Sequence, residues 1–200
     1  MNRLYGLDKK IIGLTGGIAT GKSSFSKLLT EQGHEVICAD QLIKEIYEQE
    51  ESIKFIQNIS FELVVNKKIN FKKLREFFFN DQQIKNQIED FLYPKLEILF
   101  LLKTKEIRSP IIYDIPLLFE KNLQDKFDYT VLVYASKEQQ IERLCKRDNL
   151  TLDLATKIIG QQKSIETKRD LADLIIENTR SSKFLIDEYK NKFIKVIKKY

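Results

Sequence analysis

Short apolar runs and longer stretches with helical spacing alternate along the chain. Five runs are four to six residues long, β-branched or apolar, and bounded by turn or cap residues: 10–15 (KIIGLT), 35–39 (EVICA), 110–113 (PIIY), 129–134 (YTVLVY) and 173–176 (DLII). Runs of this kind read as buried strands, and their alternation with helical patterns predicts an α/β fold. The expected architecture is a parallel five-stranded sheet covered by helices on both faces. One interval is too long for a simple crossover. Residues 40–109 carry only helical spacing, through Ile43, Ile46 and Tyr47, then 71–79, then 84–102, with no strand expected. This predicts a helical subdomain, about 41–109, inserted between two core strands. A second helical excursion covers about 136–168, opened by Ser136 and Gln139 at capping-box spacing. The segment 182–200 reads as an amphipathic helix with a lysine-rich outer face, which solvation explains.

Composition bounds this picture without changing it. At 200 residues and 42% hydrophobic, the chain has enough apolar surface for one domain with a core. Only 3 Pro, no low-complexity stretch and no internal repeat leave no sign of a long linker. Cys38 and Cys145 stand far apart without a CxxC pattern, which argues against a disulfide framework or zinc site and for a reducing compartment. No apolar run reaches the roughly 18 residues of a membrane span, and the apolar stretch after Lys9-Lys10 is too short and glycine-rich for a signal peptide. A cytoplasmic protein with no membrane partner is expected. The net charge of +5 suits an anionic partner. No block of five consecutive basic residues occurs, so nucleic acid is not expected and phosphorylated small molecules fit better.

The glycines sharpen the reading. The chain has 7, and four of them lie between Gly13 and Gly21. Gly16-Gly17-Ile18-Ala19-Thr20-Gly21-Lys22-Ser23 fits G-x-x-x-x-G-K-[ST], directly after the first strand and before a helical pattern through Phe25, Leu28 and Leu29. This is the P-loop pattern. Its glycines let successive N–H groups turn into one concavity that, with the following helix N-terminus, holds phosphate oxygens. The nucleotide-binding candidates are therefore Gly17, Ile18, Ala19, Thr20, Gly21, Lys22, Ser23 and Ser24. Lys22 would reach the β- and γ-phosphates, and the Ser23 hydroxyl would take a place on Mg²⁺. A nucleoside triphosphate with Mg²⁺ is the implied ligand.

Further candidates separate the possible reactions. The guanine-specifying N-K-x-D is absent, since Asn66-Lys67-Lys68-Ile69 and Asn191-Lys192-Phe193-Ile194 both lack the Asp. Asp40 ends the second strand candidate, where a carboxylate could accept a proton from an attacking hydroxyl; its other reading is the N-cap of a helix starting at Gln41. Asp114 ends the third strand candidate, as a water-linked Mg²⁺ partner or as a plain strand-end turn residue. Arg143 and Arg147, four apart on the helix opened by Ser136, share a face. They read as a lid clamping polyphosphate, or as ordinary surface pairing with acidic neighbours.

The sequence is similar to the dephospho-CoA kinase family over about 11–178. The resemblance rests on GLTGGIATGKS, VICAD, INFKKLREFFFND, IPLLFE (115–120), ERLCKRD and ADLIIEN in that order. It implies phosphorylation of the ribose 3′-hydroxyl of dephospho-CoA by ATP, in a P-loop NTPase-type fold. The 41–109 insert would be the substrate (CoA) domain and 136–168 the helical lid. It implies that Asp40 is the general base, that Arg143, Arg147 and Gln162 are lid residues, and that Asn178 lies near adenine. The chain departs from the family pattern at Cys38, often Asp, at Tyr93, often His, at Ala19, often Gly, and at Lys168, often Arg. A P-loop kinase of a nucleoside or nucleotide is the alternative within the class. A nucleotide-regulated nucleic-acid-binding protein is the alternative outside it.

Overall fold

The structure, a computed structural model, describes residues 3–107, 110–179 and 182–199. In chain order the elements are β1 (Ile11–Gly16), α1 (Lys22–Glu31), β2 (Val36–Cys38), α2 (Ala39–Tyr47), α3 (Glu50–Ile59), β3 (Val64–Val65), β4 (Lys68–Ile69), α4 (Phe71–Asn80) and α5 (Gln82–Thr104). They continue with β5 (Ile111–Asp114), β6 (Tyr129–Tyr134), α6 (Lys137–Asp148), α7 (Leu152–Gly160), α8 (Ile165–Leu171), β7 (Leu174–Glu177), α9 (Ser182–Glu188), a π-helical turn at Tyr189–Phe193, and α10 (Ile194–Ile197). The chain divides into two compact units, one formed by 1–37 with 106–200 and one by 38–105.

The first unit is built on the five expected strands, in the order β2-β5-β1-β6-β7. β1 lies at the centre, parallel to β5 through Ile11↔Ile111 and to β6 through Ile12↔Tyr129, and β6 pairs in parallel with β7. All six residues of β1 are buried, as a strand covered on both faces requires. Ile12, Leu14, Val131, Val133 and Ile176 pack against Phe25 and Leu29 of α1 and against Leu185, Tyr189 and Phe193. Each large apolar side chain so buried contributes about 1.5–3 kcal/mol. The capping box at α6 is formed: Ser136 Oγ accepts the Gln139 N–H and Gln139 Oε1 accepts the Ser136 N–H.

The second unit is helical, and its apolar residues recur at helix spacing. Ile88, Leu92, Leu96 and Phe100 form the buried stripe of α5, which starts at an Asp81 cap accepting the Gln83 and Ile84 N–H groups. Phe91 stacks on Phe55 of α3 at 4.0 Å between centroids.

Two expectations and one alternative reading need correction. The interval 40–109 does contain strands: β3 and β4 form an antiparallel hairpin. Asn66 and Lys67, at φ 51° and 59°, make its two-residue turn, whose left-handed pair matches the strand twist. Each strand is two residues long, too short to show alternation. Nor is Asp40 a helix cap; α2 begins at Ala39, with Cys38 in the cap position and Asp40 inside the first turn, where a carboxylate favours the helix dipole. The expected C-terminal helix is interrupted by the π turn, whose wider winding keeps Leu185, Tyr189 and Phe193, spaced four apart, on the buried side. Ser109 and Tyr200, which bounded two expected segments, lie outside the described residues. Among the described residues no helix is long and apolar enough to cross a membrane. Neither Cys38 nor Cys145 forms a disulfide among the described residues.

Candidate active site

β1 delivers its last residue, Gly16, into the loop 17–21, and α1 starts at Lys22 with Gly21 as its cap residue. Gly21 has φ +89°, and a Cβ there would run into the Asn178 amide, so only glycine fits. Ala19 takes a left-handed φ of 59°, a conformation that costs a non-glycine residue about 1 kcal/mol.

Four carbonyls at the loop are held, three of them by side chains from outside it. Lys168 Nζ donates to Gly16 O at 3.3 Å. Thr20 donates to Gly17 O through its Oγ1 at 2.9 Å and its backbone N–H at 3.3 Å. Arg143 donates to Ala19 O and Thr20 O at 3.4 Å each. Asn178 Nδ2 donates to Thr20 O at 2.8 Å. In a trans peptide the C=O and the next N–H point in opposite directions. Holding carbonyls 16, 17, 19 and 20 therefore also sets the N–H groups of Gly17, Ile18, Thr20 and Gly21. The clamps curl the loop into the concave backbone that a nest requires, with the Ile18 N–H on Gln162 and the Thr20 N–H on Gly17 O. The first N–H groups of α1, which a helix cannot pair internally, extend it.

Lys22 is ion-paired with Asp114, which is 2% exposed at the end of β5. The structure thus brings together the loop lysine and the strand-end aspartate, 92 positions apart in sequence. Ser23 and Ser24 are exposed in the first turn of α1. Asp40 is exposed in the second unit, directly after β2.

The lid candidates divide. Arg143 turns onto the loop backbone and donates to Asn178 O at 2.6 Å. Arg147 is exposed, and both its Nε and Nη2 bond Asp148 at 2.8 Å. That bond raises the guanidinium pKa and holds the Asp148 carboxyl below its ordinary value. The shared helix face predicted for the two arginines does not give them a shared partner. Gln162 Oε1 accepts the Ile18 N–H at 2.9 Å, so this glutamine reaches the loop itself. Tyr134, at the end of β6, donates to Glu166 Oε1 at 2.7 Å, which raises the phenol pKa.

Sequence spacing missed two contributors. Gln140 is 2% exposed and packs against Gly17, where a Cβ would approach its Oε1 to 2.6 Å. Glu120 meets the fully buried Lys168 at 2.6 Å. Glu120 ended the IPLLFE run and Lys168 stood out as a departure from the family pattern, yet nothing in either stretch shows that they are partners.

No three His, Cys, Asp or Glu side chains cluster as a metal site among the described residues. Mg²⁺ is commonly held by one or two protein groups plus nucleotide phosphates and water, and a hydroxyl on α1 with a carboxylate beside Lys22 suits an ion that arrives on a nucleotide.

A central β1 flanked by β5 and β6, a clamped phosphate nest and a lysine paired with a strand-end aspartate define a P-loop kinase. The family model described as "Dephospho-CoA kinase" matches residues 10–183. A dephospho-CoA kinase of Fusobacterium nucleatum is 39% identical over 173 residues, covering 84% of this chain and 89% of that protein. A solved dephospho-CoA kinase from Campylobacter jejuni superposes with TM-score 0.69 at 30% identity, over 94% of this chain and 97% of that one. A solved structure from Thermus thermophilus reaches TM-score 0.82 at 28% identity, over 94% and 98%. The chain belongs to the dephospho-CoA kinase family.

Proposed function

We propose that the chain transfers the γ-phosphoryl group of ATP to the ribose 3′-hydroxyl of dephospho-CoA, giving coenzyme A and ADP. Family membership supports the reaction, and the nest with its four held carbonyls is the observation that carries the nucleotide role. The hydroxyl oxygen bonds to the γ-phosphorus as the bond to the β–γ bridging oxygen breaks. ADP leaves, and the hydroxyl proton goes to Asp40.

Lys22 and the loop amides neutralise the β- and γ-phosphates as charge develops on them. Lys22 exchanges the Asp114 carboxylate for phosphate oxygens when ATP binds. Ser23 and Asp114 are the residues that would hold Mg²⁺, which when bound would shield the phosphate charge. Asp40 carries the base role because α2 starts directly from β2, and strand carboxyl ends line the ligand crevice of open α/β sheets. Gly17, Ile18, Ala19, Thr20, Gly21 and Ser24 complete the phosphate loop. Arg143 and Asn178 brace the nucleotide end. Arg147 leaves Asp148 for polyphosphate when the lid, about 136–168, closes and excludes water. The helical 41–109 segment binds dephospho-CoA.

The test is ADP release from ATP and Mg²⁺ with dephospho-CoA, beside a panel of nucleosides and nucleoside monophosphates. Stimulation by dephospho-CoA alone, with coenzyme A as product, is the expected result. Stimulation by another acceptor instead would keep the nucleotide site and reject the acceptor.

A further inference from the structure

Of the four donor groups that hold the P-loop carbonyls, Lys168 differs from the rest. It is fully buried, it comes from α8, and its ammonium has a dedicated counter-charge in Glu120. We propose, on the kinase reading above, that Lys168 is a positioning residue for phosphoryl transfer, acting through the Gly16 carbonyl, with Glu120 as the anchor that places it.

Gly16 closes β1, and the peptide joining it to Gly17 is the first of the loop. Glycine on both sides leaves this peptide free to rotate, since neither residue has the Cβ that restricts other backbones. Lys168 Nζ, at 3.3 Å from Gly16 O, fixes it. With the carbonyl held outward, the Gly17 N–H faces the other way. Gln140 closes the far side of Gly17. An exposed lysine would swing between solvent and carbonyl. Lys168 is kept in place because Glu120 Oε1 lies 2.6 Å from its ammonium.

The same carboxylate oxygen accepts the Lys163 N–H at 3.2 Å. Lys163 follows Gln162, whose Oε1 accepts the Ile18 N–H at 2.9 Å. Glu120 therefore gathers the start of the loop, through Lys168, and the segment that reaches Ile18, through Lys163, on one atom. Its Oε2 is buried without a hydrogen-bond partner among the described residues. Stability alone would not require this arrangement, because an apolar pair of similar volume commonly holds a fold as well as a buried ion pair does. What an apolar pair could not supply is a donor to Gly16 O.

That difference makes the test. In Glu120→Gln/Lys168→Met both charges are removed and the shapes are kept. We expect its thermal midpoint to stay within a few degrees of the parent. Its affinity for a non-hydrolysable ATP analogue, measured without acceptor, should fall at least tenfold, and its kcat with dephospho-CoA at least tenfold. Glu120→Gln alone keeps the Lys168 donor. Because it loosens the anchor, it should lower the midpoint and weaken ATP affinity and kcat, both by less than the double variant does, read below its melting range; parental affinity and kcat there would reject Glu120 as the anchor. A double variant that recovers stability, ATP affinity and turnover together would overturn the proposal and leave the pair as packing. If the double variant does not fold, Lys168→Met at a temperature where its circular dichroism is native reads the same two quantities, and parental values there would also overturn it. The affinity arm needs no acceptor, so a parent chain that binds ATP but makes no coenzyme A would reject the acceptor assignment and still test Lys168.

Discussion

The two units use charged side chains in opposite ways. In the α/β unit the decisive polar contacts are buried or part-buried and end on backbone: Lys168 on Gly16, Arg143 on Ala19 and Thr20, Asn178 on Thr20. In the helical unit the ion pairs bridge exposed surface, as in Lys95–Glu51, Lys103–Glu45 and Lys73–Glu62. There the fold rests on apolar stripes such as Ile88, Leu92, Leu96 and Phe100. Helices pair their own backbone, so their side chains are free to act at the surface. A phosphate loop pairs little of its backbone internally, and side chains from distant segments must take over that work.

The largest effect lies outside this contrast, in the chemistry. Asp40→Asn should lower kcat by about 10²–10⁴-fold, the usual worth of a general base, while ATP affinity is unchanged. Parental turnover would reject the base assignment. Next comes a direct comparison of two ion pairs by urea denaturation. Lys168→Met leaves Glu120 without its counter-charge and should destabilise by about 3–5 kcal/mol. Glu51→Gln, at a pair whose carboxylate side chain is 67% exposed, should cost less than about 1 kcal/mol. Equal costs would erase the distinction between the units.

Backbone strain gives a smaller contrast. Gly21→Ala meets both a φ of +89° and the Asn178 amide, so it should destabilise by about 1–2 kcal/mol and weaken ATP binding. Asn66→Gly, at φ 51° in the exposed β3–β4 turn, should change stability by about 0.5 kcal/mol or less, read as the shift in thermal midpoint. The smallest effect is a pH dependence. Burial lowers the His34 pKa below its ordinary 6.5, with the ring 2.9 Å from Tyr189 Oη. The unfolded chain then binds the extra proton first. Stability should be complete above about pH 6.5 and decline as pH falls from there through the lowered value. His34→Gln should flatten the thermal midpoint across that window; an unchanged slope would place the dependence elsewhere.

The five core strands were legible because buried parallel strands are short, continuous apolar runs. The phosphate loop was legible because its chemistry is local, eight residues long, with every letter serving one concavity. The β3–β4 hairpin was not, since its strands are shorter than any period. The clamps were not legible as clamps. Arg143, Gln162, Lys168 and Asn178 could be singled out by type and resemblance, but a carbonyl acceptor leaves no mark on sequence. Glu120 and Lys168 form a pair only because β1, the turn after β5 and α8 come together in space.

The sheet order also bears on the timetable of synthesis. Ile11 pairs with Ile111, 100 positions later, whereas residues 38–105 form an unbroken segment with its own contacts. At about 5–20 residues per second, β1 waits on the order of 5–20 s for β5 to leave the ribosome, while the helical unit already has all it needs to collapse. The donors to Gly16 and Thr20 lie further on, 152 and 158 residues from their acceptors. The P-loop is therefore among the first pieces written and among the last made rigid, and a chain released short of Asn178 carries the loop's whole signature without its full set of braces.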